Sequence, residues 1–360
     1  MKLRTLVITV AVLAALSLTA YLANRPAPAP ASDPRVGTVL LDADTLQKAA
    51  SLTVSDQGKK VQLVRGASGS WTVPDYFGLP ADFDKIAHFV QDLNEAKVDR
   101  FVTANPERLA HLQFKDAQVI LGDSAGKEIW RLDLGRNADS GNGRFIRFGS
   151  EPKAYFSTLH VWLDTEPKAW ADTRLVSVGA DDVARIEIAF DGGPTVVLTR
   201  AKKGDSWAAA GLAAGQKVAE TRIATLLSTL GGLRFSDTVD PKDAAAVDAS
   251  HHARTFTLVT FAGKTLAVTL ARKPEEKRLK SPVPDAKEAT PALGKPADIK
   301  PVTPEFDTIP AGPVFVSVAS SDPTDAVNLA MKKRAFETEE YSVTSLPQKV
   351  ADLLEADKAK

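Results

Sequence analysis

Apolar and polar residues alternate along much of this chain, and the alternation predicts strands in a repeated order. KKVQLVR (59–65) ends in Arg, passes through a small polar turn and reaches Trp in GASGSWTV (66–73). TVVLTR (195–200) does the same through AKKGDSWAAA (201–210). Downstream, the period changes from two to 3.6. Ile86, Phe89, Val90 and Leu93 in one place, and Ile223, Leu226, Leu227 and Leu230 in the other, fall at i, i+3, i+4, i+7. That spacing puts them on one face of an amphipathic helix. AQVILGDSAGKEIWRLDLGR (117–136) and RTFTLVTFAGKTLAVTLARK (254–273) then each predict two strands joined at a Gly-Lys turn, a β-hairpin. GRFIRF and GPVFVSV supply a further strand in each place.

The corresponding order predicts an α+β protein of two tandem, duplicated units, each a mainly antiparallel sheet with one covering helix. The first unit is expected over 36–176 and the second over 177–347, with a tail at 348–360. Trp71 and Trp207 are read as structural residues that close each core where strand meets helix. The second unit is interrupted at 273–313, a Pro-, Lys- and Ala-rich stretch with almost no apolar period. Such composition cannot bury enough surface to offset its ordering entropy, so a largely mobile loop is expected there.

The first 25 residues have a different pattern. Lys2 and Arg4 precede a run of about 19 apolar or small residues from Thr5 to Ala23. At roughly 1.5 Å per residue it nearly spans a hydrocarbon core of roughly 30 Å. Its length, and Tyr21 at the −3 position of the nearest exit, favour an uncleaved signal-anchor transmembrane helix (1–25); a cleaved signal peptide is the other reading. Either one exports the rest of the chain. In a Gram-negative cell this means a single-pass inner-membrane protein, in contact with the bilayer through residues 5–23, with its C-terminal body in the periplasm. The Pro/Ala segment 26–35 reads as an extended spacer.

Composition narrows the chemistry. The chain carries 45 basic and 45 acidic residues among 360, so no global charge recruits nucleic acid. Cysteine is absent, which removes disulfides, thiolate metal sites and a cysteine nucleophile. GDSAG (122–126) fits a nucleophile-elbow string, but its flanks are strand-like on both sides, and a hairpin turn explains Ser124 better. His251 and His252 are adjacent, which on a strand would send them to opposite faces. Asp42, Asp44, Asp181 and Asp182 read as caps and turns. No catalytic residue, metal ligand or cofactor is expected. The one candidate for polar contacts is the glycine-rich GRNADSGNGRFIRFG (135–149), whose Arg136, Arg144 and Arg147 could meet an anion.

WTVPDYFGLPADFDKIAHFVQDL, RFVTANPERLAHLQF and AWADTRLVSVGADDVARIEI together resemble a bacterial family known only as a domain of unknown function. The first unit carries the GLPAD run of that family, where the second has GLAAGQKVAE. The resemblance implies a membrane-anchored envelope protein with tandem repeats, often encoded beside a gliding-motility-type ABC transporter. It implies no catalytic residues. The expected function is therefore a non-enzymatic accessory or scaffold subunit whose partners are inner-membrane transport-complex proteins. The alternative is a ligand-binding module that takes a glycan or lipid fragment in the cleft between the two units.

Overall fold

The computed structural model describes residues 33–139, 141–149, 151–190, 195–210, 216–279 and 306–355. The expected anchor and most of the spacer lie outside these residues, as do 280–305 of the interruption and 356–360 of the tail. Among the described residues no helix is long and apolar enough to cross a membrane. The protein is mixed α+β, with mostly antiparallel sheets and few helices. It divides into two compact units between Ala171 and Asp172.

The first unit contains strands β1 (Ser51–Asp56), β2 (Lys59–Arg65), β3 (Trp71–Val73), β4 (Leu79–Pro80), β5 (Arg100–Thr103), β6 (Gln118–Gly122), β7 (Glu128–Asn137), β8 (Arg144–Phe148) and β9 (Ala154–Ser157). They form one sheet in the order β4-β3-β2-β1-β6-β7-β8-β9-β5. Its helices are α1 (Ala43–Lys48), α2 (Phe83–Glu95) and α3 (Pro106–Ala110). Leu52, Val54, Val61, Leu63, Val119, Leu121, Leu132 and Leu134 are buried, and their cross-strand register aligns them on one face. Period two puts Arg131, Asp133 and Gln118 on the other. Helix α2 begins where the Asp82 carboxylate accepts the Lys85 N–H at 3.1 Å, and it buries Ile86, Phe89 and Leu93.

The second unit contains β10 (Val183–Ile188), β11 (Val196–Thr199), β12 (Ala208–Ala209), β13 (Asp237–Val239), β14 (Ala253–Thr260), β15 (Thr265–Arg272), β16 (Glu276–Leu279), β17 (Phe306–Ile309), β18 (Val314–Ser320) and β19 (Ala335–Thr338). Its helices are α4 (Glu220–Gly231), α5 (Ala244–Ser250), α6 (Ala326–Lys333) and α7 (Tyr341–Thr344). The main sheet runs β12-β11-β10-β14-β15-β18-β19-β13. This is the order of β3-β2-β1-β6-β7-β8-β9-β5 in the first unit, strand for strand. Helix α4 buries Ile223, Leu226, Leu227 and Leu230, all four positions of the predicted stripe.

Both Gly-Lys turns close hairpins. Gly126 and Gly263 adopt φ of 79° and 81°, a left-handed conformation that favours glycine. Asp123 accepts the Ala125 and Lys127 N–H groups, each at 2.9 Å, and Thr260 Oγ1 accepts the Lys264 N–H at 3.1 Å. Ser124 is an exposed residue of that turn between two antiparallel strands, not of a strand-to-helix elbow.

Three expectations change. Each unit carries short helices besides its long one. The interruption is bounded by a two-stranded ladder, since Glu276–Leu279 pairs with Phe306–Ile309. The tail also packs in part: Leu353 is buried, and its carbonyl accepts the Ala219 N–H at the start of α4 at 2.9 Å. Separately, His251 and His252 lie at the C-terminal end of α5, not on a strand.

The chain enters the first unit at a fixed point. Asp33 accepts from Lys153 Nζ at 2.9 Å and from the Tyr155 hydroxyl at 3.2 Å, while Arg35 pairs with Glu151 and lies 4.4 Å over the Phe148 ring. The hydrogen bond from Lys153 holds the Asp33 carboxyl below its ordinary range. Burial, with the Asp33 charge beside it, pushes Tyr155 up to about 12.

Candidate functional site

The hairpin β7–β8 and the segment after β9 border an open cleft of about 720 Å³ in the first unit. Asp56, Gln57 and Lys59 come to it from the β1–β2 turn, Asn137 and Arg144 from β7 and β8, and His160 and Trp162 from the segment beyond β9. Trp162 is 85% exposed. Gln57 and Gly58 have φ of 50° and 75°, consistent with the two-residue turn of a tight hairpin.

The three arginines that could meet an anion lie apart. Arg144 and Arg147 are three residues apart on β8, and odd spacing sends them to opposite faces. Arg147 donates to Asp133 Oδ2 from Nη2 at 2.6 Å and from Nε at 3.0 Å, and it lies 5.0 Å over Phe114. Arg131 Nε reaches the other oxygen of the buried Asp133 at 2.8 Å, and this bond raises the Arg131 pKa. Arg136 pairs with Asp139 at 2.6 Å and covers Phe145 at 5.2 Å. Only Arg144 reaches the cleft. Its Nη2 donates to the Gly135 carbonyl at 3.0 Å, and its Nε is buried with no acceptor. Burial depresses its pKa, against the opposing pull of Asp56.

The glycine-rich loop also spends amides on itself. Ala138 N–H donates to Gly143 O and Gly141 N–H to Ala138 O, each at 2.9 Å. His160 Nε2 lies 3.2 Å from Asn142 Oδ1 and donates to it in the tautomer that carries the proton on Nε2. The cleft thus offers one aromatic face and scattered polar groups of both signs. That suits contact with an uncharged polar ligand better than capture of a strong anion. Among the described residues no three His, Cys, Asp or Glu gather as a metal site. Nothing in the sequence marks Trp162 and His160, because HVWLDTEPKAW has no period and no spaced partner.

The two tryptophans differ. Trp207 is 8% exposed; Arg200 lies 4.7 Å over its ring, and Glu220 accepts its backbone N–H at 2.7 Å. Trp71 is only half-buried. Trp71 opens β3, next to the edge strand β4, and Trp207 directly precedes the edge strand β12.

A family described as Domain of unknown function (DUF4340) matches residues 71–250, and the chain belongs to that family. The matched stretch takes in Trp71, Trp207 and the division between the units. No curated protein and no solved structure matches the chain.

Proposed function

We propose that the chain is a membrane-tethered periplasmic protein acting as a non-enzymatic accessory or scaffold subunit of an ABC-type transport complex. The observation that carries this reading is the run Thr5–Ala23 behind Lys2 and Arg4, continued by a Pro/Ala spacer into the body. The clamp made by Asp33 and Arg35 suits a tethered body, because it fixes where the spacer attaches. The matching strand orders support an origin of the two units by tandem duplication. Crosslinking in intact cells, followed by purification of the tagged chain, tests the proposal. The expected result is recovery of subunits of an inner-membrane transporter above an untagged control. Recovery of no envelope component would overturn it.

The exposed Trp162 beside the Arg144 cleft favours a second reading, a module that stacks a glycan fragment on the indole. Titration with neutral oligosaccharides is then expected to show saturable binding that Trp162→Ala weakens at least about tenfold, as loss of an aromatic anchor does. Binding indifferent to that substitution would exclude the cleft.

A further inference from the structure

The repeated phrase is closed in one unit and open in the other. In the second unit Arg200, at the end of β11, donates from Nε to Val183 O at 2.8 Å and from Nη2 to Ala180 O at 2.6 Å. So held, its guanidinium covers Trp207. On α4, Leu227 is 4% exposed. The same places in the first unit are Arg65, Trp71 and Val90. The Arg65 side chain is exposed and makes no hydrogen bond or ion pair among the described residues. Trp71 and Val90 are half-buried. Between α1, α2 and the sheet they line a groove of about 460 Å³, floored by Leu52 and Leu121 and edged by Phe83, which is 62% exposed.

We propose that this groove binds a single aliphatic chain bearing an anionic head group, in its simplest form a fatty acid. The chain lies on Trp71 and Val90, and the carboxylate pairs with Arg65. The volume falls in the range of small-molecule sites, roughly 300–1,000 Å³. The polar side chains at the rim decide the head group. Asn94 Nδ2 already donates to Leu41 O at 2.7 Å, and Gln91 Nε2 to Glu95 at 2.6 Å. Arg65 is left as an unengaged cation beside an apolar floor, complementary to one negative charge at the end of a hydrocarbon. At the equivalent place among the described residues of the second unit, the arginine covers the indole face and Leu227 is buried. The site requires no transport partner.

The test uses the full chain in lipid nanodiscs with a diazirine analogue of palmitate, followed by mapping of the photolabelled peptides. Label is expected on peptides carrying Trp71 and residues 83–95, and unlabelled palmitate competes it away. Arg65→Ala is expected to reduce occupancy about fivefold, the size of one partly exposed ion pair. It leaves labelling by the corresponding neutral alcohol unchanged. Val90→Phe, which fills the groove, suppresses both probes, while Arg200→Ala suppresses neither. Shortening the competitor by two methylenes weakens it roughly tenfold. Label confined to residues 1–25, label spread evenly over the body, or label at the groove that ignores both Arg65→Ala and Val90→Phe would overturn the proposal. Exclusion of the probe by a protein segment seated in the groove, seen as a crosslink between Trp71 peptides and another chain, would overturn it too.

Discussion

Replacing Trp170 by alanine is expected to cost the first unit about 3–5 kcal/mol, the range for emptying a buried aromatic site. The side chain is 0% exposed, so its whole volume becomes cavity. Its ring stands edge-on to Phe89 of α2, with centroids 5.5 Å apart at 81°. Its Nε1–H donates to the Asp164 carbonyl at 2.8 Å. Lys85 Nζ lies 4.6 Å from the ring centroid and is itself fixed by Asp164 Oδ2 and Ala169 O, both at 2.8 Å. The Trp170 carbonyl also accepts the N–H of Asp82, the residue that caps α2, at 2.8 Å. One indole therefore joins the last turn of the unit to the start and the buried face of its long helix. Against a domain stability of about 5–15 kcal/mol, this loss is large. With two compact units in the chain, a single midpoint is not a two-state quantity for either one. Hydrogen exchange read by peptide separates them. Protection of α2, β1 and β2 is expected to collapse, while β14 and β15 keep theirs. Trp170→Phe retains the packing and gives up mainly the Asp164 hydrogen bond, so it should cost only about 1–2 kcal/mol. Equal losses from the two substitutions would show that the indole N–H, not the ring volume, carries the site.

Trp170 marks where sequence reading stops. Local periodicities are readable: Ile86, Phe89 and Leu93 announce α2, and alternation with a Gly-Lys turn announces both hairpins, because these signals depend on neighbours a few residues apart. The fit of Trp170 against Phe89 depends on residues far apart in sequence, and AWADTRL carries no period to report it. The fate of the arginines divides in the same way. That Arg144 and Arg147 must part company follows from odd spacing on a strand, which the residues alone contain. That Arg200 folds over Trp207 while Arg65 leaves Trp71 open does not, since VQLVR and VVLTR read alike. The difference arises because the carbonyls of Ala180 and Val183 come within reach of Arg200, and among the described residues no equivalent acceptor engages the Arg65 guanidinium. Local sequence set the elements of each unit, and long-range packing decided how Arg65 and Arg200 lie against their tryptophans. The ladder at the base of the interruption is hidden for a related reason. Its strands pair across residues 280–305, and four-residue strands in a charged context give almost no alternation to read.

Gly143 yields the second large effect, and a neighbouring glycine provides its control. Gly143 has φ of 105°, which side chains rarely adopt, and a Cβ placed there would stand 2.5 Å from the Ser157 carbonyl oxygen and 2.7 Å from Phe156 Cζ. A flexible side chain could withdraw from such a contact, but the Ser157 oxygen is backbone in β9, and β9 is paired to β8 through Arg144 and Ser157. Gly143→Ala therefore combines backbone strain of about 1–3 kcal/mol with overpacking of about 1–3 kcal/mol. Gly141 also has positive φ, 73°, but nothing lies within 4 Å of its added Cβ. Gly141→Ala should register the conformational part alone, about 1 kcal/mol. The difference between the two variants in chemical unfolding, followed by exchange at β8 and β9, isolates the close approach of the strands. A small difference would mean that β8 and β9 can part at this end without loss. If the difference is large, the same approach fixes Arg144 at the wall of its cleft, because Arg144 follows Gly143 directly and pairs with Ser157. Gly143→Ala should then also loosen the Arg144 contact with Gly135 and weaken any ligand that depends on that wall, whereas Gly141→Ala leaves both in place.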